Sequence, residues 1–201
     1  MEELAKDFFD NIKFKDGILE ERSVEFLKLK ADSQELDKVL NELISRGFHC
    51  KPEISREVTL KAKEKGIDQL FLTEPLLFSK LLLEGREQQF IEAHKSDKNL
   101  IFFDRGIPDV HAYMNYFKTE FPADFLEKST QCKYTKIFHF SPWEEIHTTD
   151  NERYETFEEA KTIDGFLLKA YTDLDYKITT IPFGNIEERT NFIINSLALN
   201  V

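Results

Sequence analysis

The chain has 201 residues, 41% hydrophobic and 32% charged, which suits one globular domain with a short appendage and argues against wholesale disorder. Lys+Arg 27 against Asp+Glu 38 gives a formal charge of −11, which argues against a binder of nucleic-acid backbones but leaves room for a local basic pocket. No apolar run approaches the ~18–20 residues of a membrane span. The acidic start MEELAKDFFD is no signal peptide, and Cys50 and Cys132 make neither a disulfide framework nor a metal motif, so a reducing cytoplasm is the expected compartment.

Residues 1–22 read as an N-terminal extension. Glu2 to Ile12 has the spacing of a short amphipathic helix, with Leu4, Phe8, Phe9 and Ile12 on one side, and Asp16-Gly17 is a hairpin-type turn. From 23 to 201 strand and helix patterns alternate. VEFLKLKA alternates as a strand, and QELDKVLNELISRG follows as a helix stopped by Gly47. FHCK is a short strand and ISREVTLKAKEKG a helix ending at Gly66. Thr73 and Pro75 predict the cap and first turn of a long helix through residue 94, with Leu76 to Leu83 as core. NLIFFD is an unbroken apolar run, as expected of a parallel strand buried on both faces. Pro108 opens the helix DVHAYMNYF, DFLEKSTQ is another, and KIFHFS is a fourth strand. A polar stretch, EEIHTTDNERYE, leads to the helix FEEAKTIDGFLLKAYTDL, the strand YKITTIP and the helix NIEERTNFIINSLA. The pattern predicts a three-layer α/β domain with a mainly parallel five-stranded sheet, whose ligands sit beyond the carboxyl ends of the strands.

The glycines narrow the chemistry. They stand at 17, 47, 66, 85, 106, 165 and 184, and the closest neighbours are 19 apart. A phosphate loop of the form GxxxxGK[ST] needs two glycines five apart, and a dinucleotide loop needs two glycines two apart. Neither fits anywhere in the chain.

Three segments carry candidate chemistry. In LIFFDRGIPD a strand delivers Asp104 at its end, where a carboxylate can hold magnesium and the neighbouring Arg105 can clamp a phosphate. The plain alternative is that Asp104 caps the next turn and pairs with Arg105. In PEISR, Glu53 and Arg56 are three apart, so a helix beginning there places both on one face: a carboxylate for a substrate hydroxyl and a guanidinium for an anion, or simply a surface ion pair. In PWEEIHTTDNERYE, a polar loop can bring Arg153 over a ligand and Trp143 onto a base, or Trp143 can anchor a solvated loop. The five histidines lack metal-site spacing, and His139, alternating with apolar residues, reads as a core histidine.

RGFHCKPEISREV, GIDQLFLTEPLLFSKLLLEGREQQF, IFFDRGIPDVHAYMNY, PWEEIHTTDNERYETFEEA and IPFGNIEERTNFII, taken in order, resemble the NadR-like AAA-domain family of P-loop ATPases related to ribosylnicotinamide kinase. The resemblance covers about three quarters of the chain, Gly47 to Leu197. It implies a P-loop-kinase-like domain. Asp104 would lie near magnesium and phosphates, Glu53 and Arg56 would face the phosphate acceptor, Arg105 and Arg86 would hold anionic groups, and Arg153 would belong to a lid. The loop after Pro182 would lie near the nucleotide base. The phosphate loop is where the chain departs from the family. Matching backwards from Arg46 puts Lys30 and Glu35 at its glycines, Leu36 at its lysine and Asp37 at its Ser/Thr. The expectation is therefore a degenerate member that binds a small anionic or nucleotide-like ligand, or a protein partner, without ordinary ATPase activity. Magnesium is compatible with Asp104, while the acidic replacement loop argues against ATP. The alternative is a working phosphotransferase on a nucleoside-like substrate in which Lys28, Lys30 or a partner chain replaces the missing loop.

Overall fold

The computed structural model describes residues 25–29, 33–67, 70–146 and 156–197; of residues 25–29 and 33–35 it describes the backbone only. The expected N-terminal extension and Arg153 lie outside these residues. In chain order the elements are β1 (Glu25–Leu29), α1 (Ser33–Ser45), β2 (His49–Lys51), α2 (Ser55–Glu64), α3 (Leu70–Thr73), α4 (Pro75–Lys95), β3 (Leu100–Asp104), α5 (Ile107–Tyr116), α6 (Asp124–Gln131), β4 (Lys136–Phe140), α7 (Phe157–Thr172), β5 (Ile178–Ile181) and α8 (Ile186–Ser196). A single 3-10 turn spans Glu144–Ile146. No helix among the described residues is long and apolar enough to cross a membrane.

The strands form one sheet in the order β2-β3-β1-β4-β5, and every pairing is parallel. This is the α/β architecture expected from the alternation of patterns. The run LIFFD lies inside the sheet and is buried because both of its faces are covered: Ile101 and Phe103 enter one core cluster, Phe102 the other. On one side α2, α4, α5 and α6 pack against Ile101, Phe103 and Ile137. On the other, α1 and α8 cover Phe102, Phe138, Phe140 and Ile181. Phe102 and Phe138 are 0% exposed, and each contributes roughly 2–3 kcal/mol by leaving water.

Glycine ends the helices where the sequence indicated. Gly47 (φ +89°) and Gly66 (φ +80°) take the left-handed conformation just past α1 and α2, and the next residue's amide returns to the helix: Phe48 N–H to Leu43 O at 3.0 Å, Ile67 N–H to Ala62 O at 3.0 Å. Two expectations need correction. Thr73 does not cap the long helix: it closes the separate turn α3, and Glu74 precedes Pro75 at the start of α4 with no side-chain cap. Leu76 is 43% exposed and not core, whereas Leu81, Leu82 and Leu83 are buried.

Register places the site. Leu29, the last residue of β1, pairs with Asp104, the last residue of β3. α1 begins at Ser33, so only residues 30–32 connect β1 to α1.

Candidate active site at the carboxyl ends of β2 and β3

Glu53, two residues past β2, organises the site. Its Oε1 accepts the amides of Ile54 (2.8 Å) and Ser55 (3.0 Å) at the start of α2. Arg86, from the middle of α4, donates from Nη2 to both Glu53 oxygens at 3.0 Å and from Nη1 to Gly106 O at 3.0 Å. Arg105 brings Nε to 2.6 Å from Glu53 Oε2. One carboxylate thus binds a residue after β2, a helix and the turn after β3 together. Burial alone would raise the Glu53 pKa, but the charges of Arg86 and Arg105 and the hydrogen bonds prevail and lower it. The same carboxylate raises Arg86 against the desolvation that would lower it.

The turn after β3 is built for this contact. Arg105 has φ +68°, a left-handed conformation costly for a side-chain-bearing residue, and it turns the guanidinium back towards Glu53. Arg105 Nη1 also reaches Tyr113 Oη at 3.4 Å. Asp109 fixes the next step: its Oδ2 accepts Gly106 N–H at 2.6 Å and Tyr171 Oη–H at 3.0 Å. Tyr134 Oη accepts Ile107 N–H at 3.1 Å. A Cβ on Gly106 would stand 2.5 Å from Tyr171 Oη and 3.0 Å from the Tyr134 ring, so only glycine lets α5 start this close to both phenols.

Asp104 is different. It is 6% exposed, and its Oδ1 is buried with no hydrogen-bond partner among the described residues. Burial pushes its carboxyl up to about 7; Arg105 opposes the shift, and Glu53 and Asp37 reinforce it. Asp37, in the first half of α1, is the residue that the family resemblance sets at the phosphate loop's Ser/Thr. Arg86 Nε is likewise buried without a partner. Each such group carries a desolvation cost of about 1–3 kcal/mol until something satisfies it.

The site residues anticipated from sequence divide accordingly. Glu53, Arg86 and Arg105 come together, with Asp104 within their electrostatic reach. The alternative in which Asp104 caps the turn and pairs with Arg105 is not observed: Asp109 makes the cap contact, and Arg105 pairs with Glu53. Glu53 and Arg56 do not start one helix face. Glu53 precedes α2, whereas Arg56 is exposed on its first turn. Trp143 has its own partners, its ring stacked on Phe183 at 4.9 Å and 26°, its Nε1 donating to Glu145 at 3.1 Å, and the Arg189 guanidinium 5.9 Å from it. His139 is a core histidine, 7% exposed, with Nε2 2.8 Å from Asp164 Oδ1. Asp109, Tyr113, Tyr134 and Tyr171 were not anticipated. The sequence signal for Asp109 was its position three residues after Gly106 at a helix start.

Asp104 at the end of β3 fits a magnesium ion shared with a bound phosphate, which one or two carboxylates suffice to hold. Among the described residues no three His, Cys, Asp or Glu side chains group to hold a metal ion, so Asp104 offers a single carboxylate. The loop that would cradle a triphosphate has no glycine pair of the required spacing.

A parallel sheet in the order 2-3-1-4-5, covered by helices on both faces and ending β3 in an acid, is the fold of the P-loop kinases. The chain belongs to the AAA domain family, whose model matches residues 38–189, beginning just after the β1–α1 connection. The fold is NadR-like. The structure of a NadR protein in complex with NAD and AMP-PNP superposes with a TM-score of 0.64 at 14% identity, covering 89% of this chain and 51% of that one. A NadR protein in complex with NR gives 0.63 at 11% identity, covering 89% and 52%. The chain therefore spans about half the length of the NadR proteins it matches. Deoxyadenosine kinase from M. mycoides, with dCMP and dCDP bound, gives 0.62 at 11% identity, covering 86% of this chain and 98% of that one. No curated protein matches in sequence.

Proposed function

We propose that this protein is a degenerate P-loop-kinase-like protein that holds a small anionic, nucleotide-like ligand at the rim formed by Glu53, Arg86, Asp104 and Arg105, and that it lacks ordinary ATPase activity. The observation that carries the reading is the connection between β1 and α1. A phosphate loop needs six residues from its first to its second glycine, and here three residues separate strand from helix, none of them glycine. Leu36 and Asp37 then stand at the positions of the lysine and the hydroxyl that would receive a triphosphate, and the charge of Asp37 adds to the repulsion at Asp104. Phosphoryl transfer depends on positioning and charge neutralisation, and loss of one preorganised donor costs ~10²–10³ in rate. The retained cluster supports a ligand site because Asp104 Oδ1 and Arg86 Nε are buried and unsatisfied, as expected where a polar ligand completes the set. The names of the fold neighbours make nucleosides and nucleotides the first compounds to try. Arg153 and the 147–155 loop, with Trp143 at its base, are proposed to lie over that ligand.

A thermal-shift panel of nucleosides, nucleoside mono-, di- and triphosphates and NAD, each with and without magnesium, tests this. A ligand at a hundred times its dissociation constant stabilises the fold by ~2.7 kcal/mol. For a chain of this size that raises Tm by about 5–10 °C. The expectation is no shift with millimolar magnesium–ATP and a shift with a smaller anionic compound that Arg105→Ala abolishes. A shift of several degrees with magnesium–ATP, together with phosphate transfer, would overturn the reading in favour of an active phosphotransferase relying on Lys28 or Lys30.

A further inference from the structure

The chain holds 19 Phe against 6 Tyr, so a hydroxyl on a packed ring calls for a use. Three tyrosines have one in the fold. Tyr134 Oη accepts Ile107 N–H at 3.1 Å, Tyr176 Oη accepts Tyr134 N–H at 3.0 Å, and Tyr171 Oη–H donates to Asp109 Oδ2 at 3.0 Å. Tyr113, on α5, has nothing comparable. Its half-buried ring packs against Ala112, Ile163, Leu167 and Ala170 between α5 and α7, a task that phenylalanine would perform as well. Its Oη meets Arg105 Nη1 at 3.4 Å, beyond the usual range of an N–H···O bond. In that contact the oxygen is the acceptor, and the phenol's own proton has no acceptor among the described residues. Glu53 is not available to it, because its two oxygens already take the amides of Ile54 and Ser55 and both guanidinium groups.

Arg105 has a donor to spare at the same point. Its Nε is paired with Glu53 and its Nη1 touches Tyr113, while Nη2 has no hydrogen-bond partner among the described residues. The side chain is 21% exposed. From its strained left-handed backbone, φ +68°, the guanidinium reaches both Glu53 and a residue eight positions along the chain on α5. A guanidinium edge and a phenol thus stand side by side, each with a hydrogen left to give and no acceptor between them. An oxygen that bears negative charge matches such a pair, and charge-assisted bonds are the strong ones. The planar, two-oxygen pairing typical of a carboxylate is not offered, because Glu53 holds the Nε edge and Tyr113 stands at Nη1. A tetrahedral oxyanion can present a single oxygen to both donors and keep the rest in water.

We infer that Tyr113 is a ligand-binding residue of the rim, whose Oη–H joins Arg105 Nη2–H in holding one oxygen of a phosphate-type oxyanion. The inference rests on the ligand site proposed above and adds to it a residue and a chemical class. Arg105 supplies the charge, and Tyr113 supplies the neutral donor that fixes where the oxyanion sits. Only the hydroxyl is needed for this, so phenylalanine keeps the packing and loses the contact.

Inorganic phosphate is the probe. It is titrated into wild type, Tyr113→Phe, Arg105→Ala and Tyr116→Phe, and followed by phosphorus NMR and by the ultraviolet difference spectrum of tyrosine. Tyr113→Phe should weaken phosphate binding roughly tenfold or more, the worth of one hydrogen bond to a charged group. It should also abolish the difference spectrum and leave the Tm of the ligand-free protein unchanged, while Tyr116→Phe alters none of the three. Phosphate binding that Arg105→Ala removes and Tyr113→Phe leaves intact overturns this inference and leaves the rim site standing. So does a wild type that ignores phosphate but is stabilised by a nucleotide. Weaker binding accompanied by a lower Tm and a persisting difference spectrum gives Tyr113 a structural role only, and also overturns it. Failure of phosphate and of every nucleotide to bind the wild type removes the inference and the proposed ligand site together.

Discussion

Asp104 offers the sharpest test of the site. Its carboxyl ordinarily titrates near 3.8 and in the folded chain near 7, mainly because it is buried, with Glu53 and Asp37 adding repulsion that Arg105 only partly offsets. The folded state therefore holds the proton more tightly than the unfolded state. Between pH 4 and 7 the folded chain binds more protons, so stability falls as pH rises, and above about pH 7 the loss is complete. The difference in titration points corresponds to about 4 kcal/mol, at 1.36 kcal/mol for each tenfold change. Asp104→Asn keeps the shape and removes the titration. Urea unfolding of both proteins at half-unit steps from pH 4.5 to 8.5 measures the difference. Relative to wild type, the variant should gain stability steadily up to pH 7 and then level off at about 4 kcal/mol. Glu53, whose pKa is lowered, contributes stability above its unfolded value and loses it as pH falls, but it titrates below the scanned range and so does not shape the difference. A flat difference across this range would refute the argument that Asp104 is buried beside two other acids without adequate compensation.

Other substitutions test the surrounding network. Glu53→Gln leaves the buried Arg86 and the half-buried Arg105 without their carboxylate and should cost about 3–5 kcal/mol, read by urea unfolding at pH 7. Gly106→Ala drives a methyl towards Tyr171 Oη and the Tyr134 ring and should lower stability by about 1–3 kcal/mol, although its φ of −126° suits alanine; adding Tyr171→Phe should recover part of the loss. Tyr171→Phe alone removes one of the two donors to Asp109 Oδ2 and should cost about 1–3 kcal/mol in the same measurement.

What was legible in the sequence was what local chemistry determines. An unbroken apolar run ending in an acid fixed β3 and put Asp104 at its end, because no half-exposed strand tolerates LIFF. Gly47 and Gly66 marked helix ends because their left-handed conformations are unfavourable for other residues. The partners of Glu53 were not legible. Arg86 is 33 residues away on another helix, and nothing in PEISR distinguishes a carboxylate that pairs with Arg56 from one that pairs across the sheet rim. The exposed Leu76 was missed because LLFSKLLL is apolar at nearly every position, and such a run carries no period to show which leucine faces water. The turn Leu70–Thr73 was missed for a similar reason: Thr73 before Pro75 has the appearance of a cap, and only tertiary packing shows that it ends one helix while Glu74 begins the next.

The two aspartates around the β3 turn separate architecture from function. Asp109 is 0% exposed, and its Oδ2 is engaged by a backbone amide and a phenol that hold the start of α5 against α7. Its burial is explained by the fold it helps to build. Asp104, five residues earlier and nearly as buried, has an Oδ1 with no hydrogen-bond partner among the described residues, and the charge of Asp37 on α1 works against its ionisation. For stability alone, an apolar residue or an asparagine would serve that strand end better, since an uncompensated buried carboxylate costs several kcal/mol. Perturbed carboxyls of this kind also arise in structural ion-pair networks, but those networks supply the partner that Asp104 lacks. The same contrast holds between the two arginines. Arg105, 21% exposed and held in a strained conformation, faces the rim, whereas Arg86 lies beneath it with Nη1 and Nη2 bound and Nε unsatisfied. Arg86 thus holds Glu53 from the interior while Arg105 is the more exposed of the two guanidinium groups and Asp104 lies buried beside them. That layered arrangement is expected of a site whose supporting layer survives intact, whatever the fate of the phosphate loop beside it.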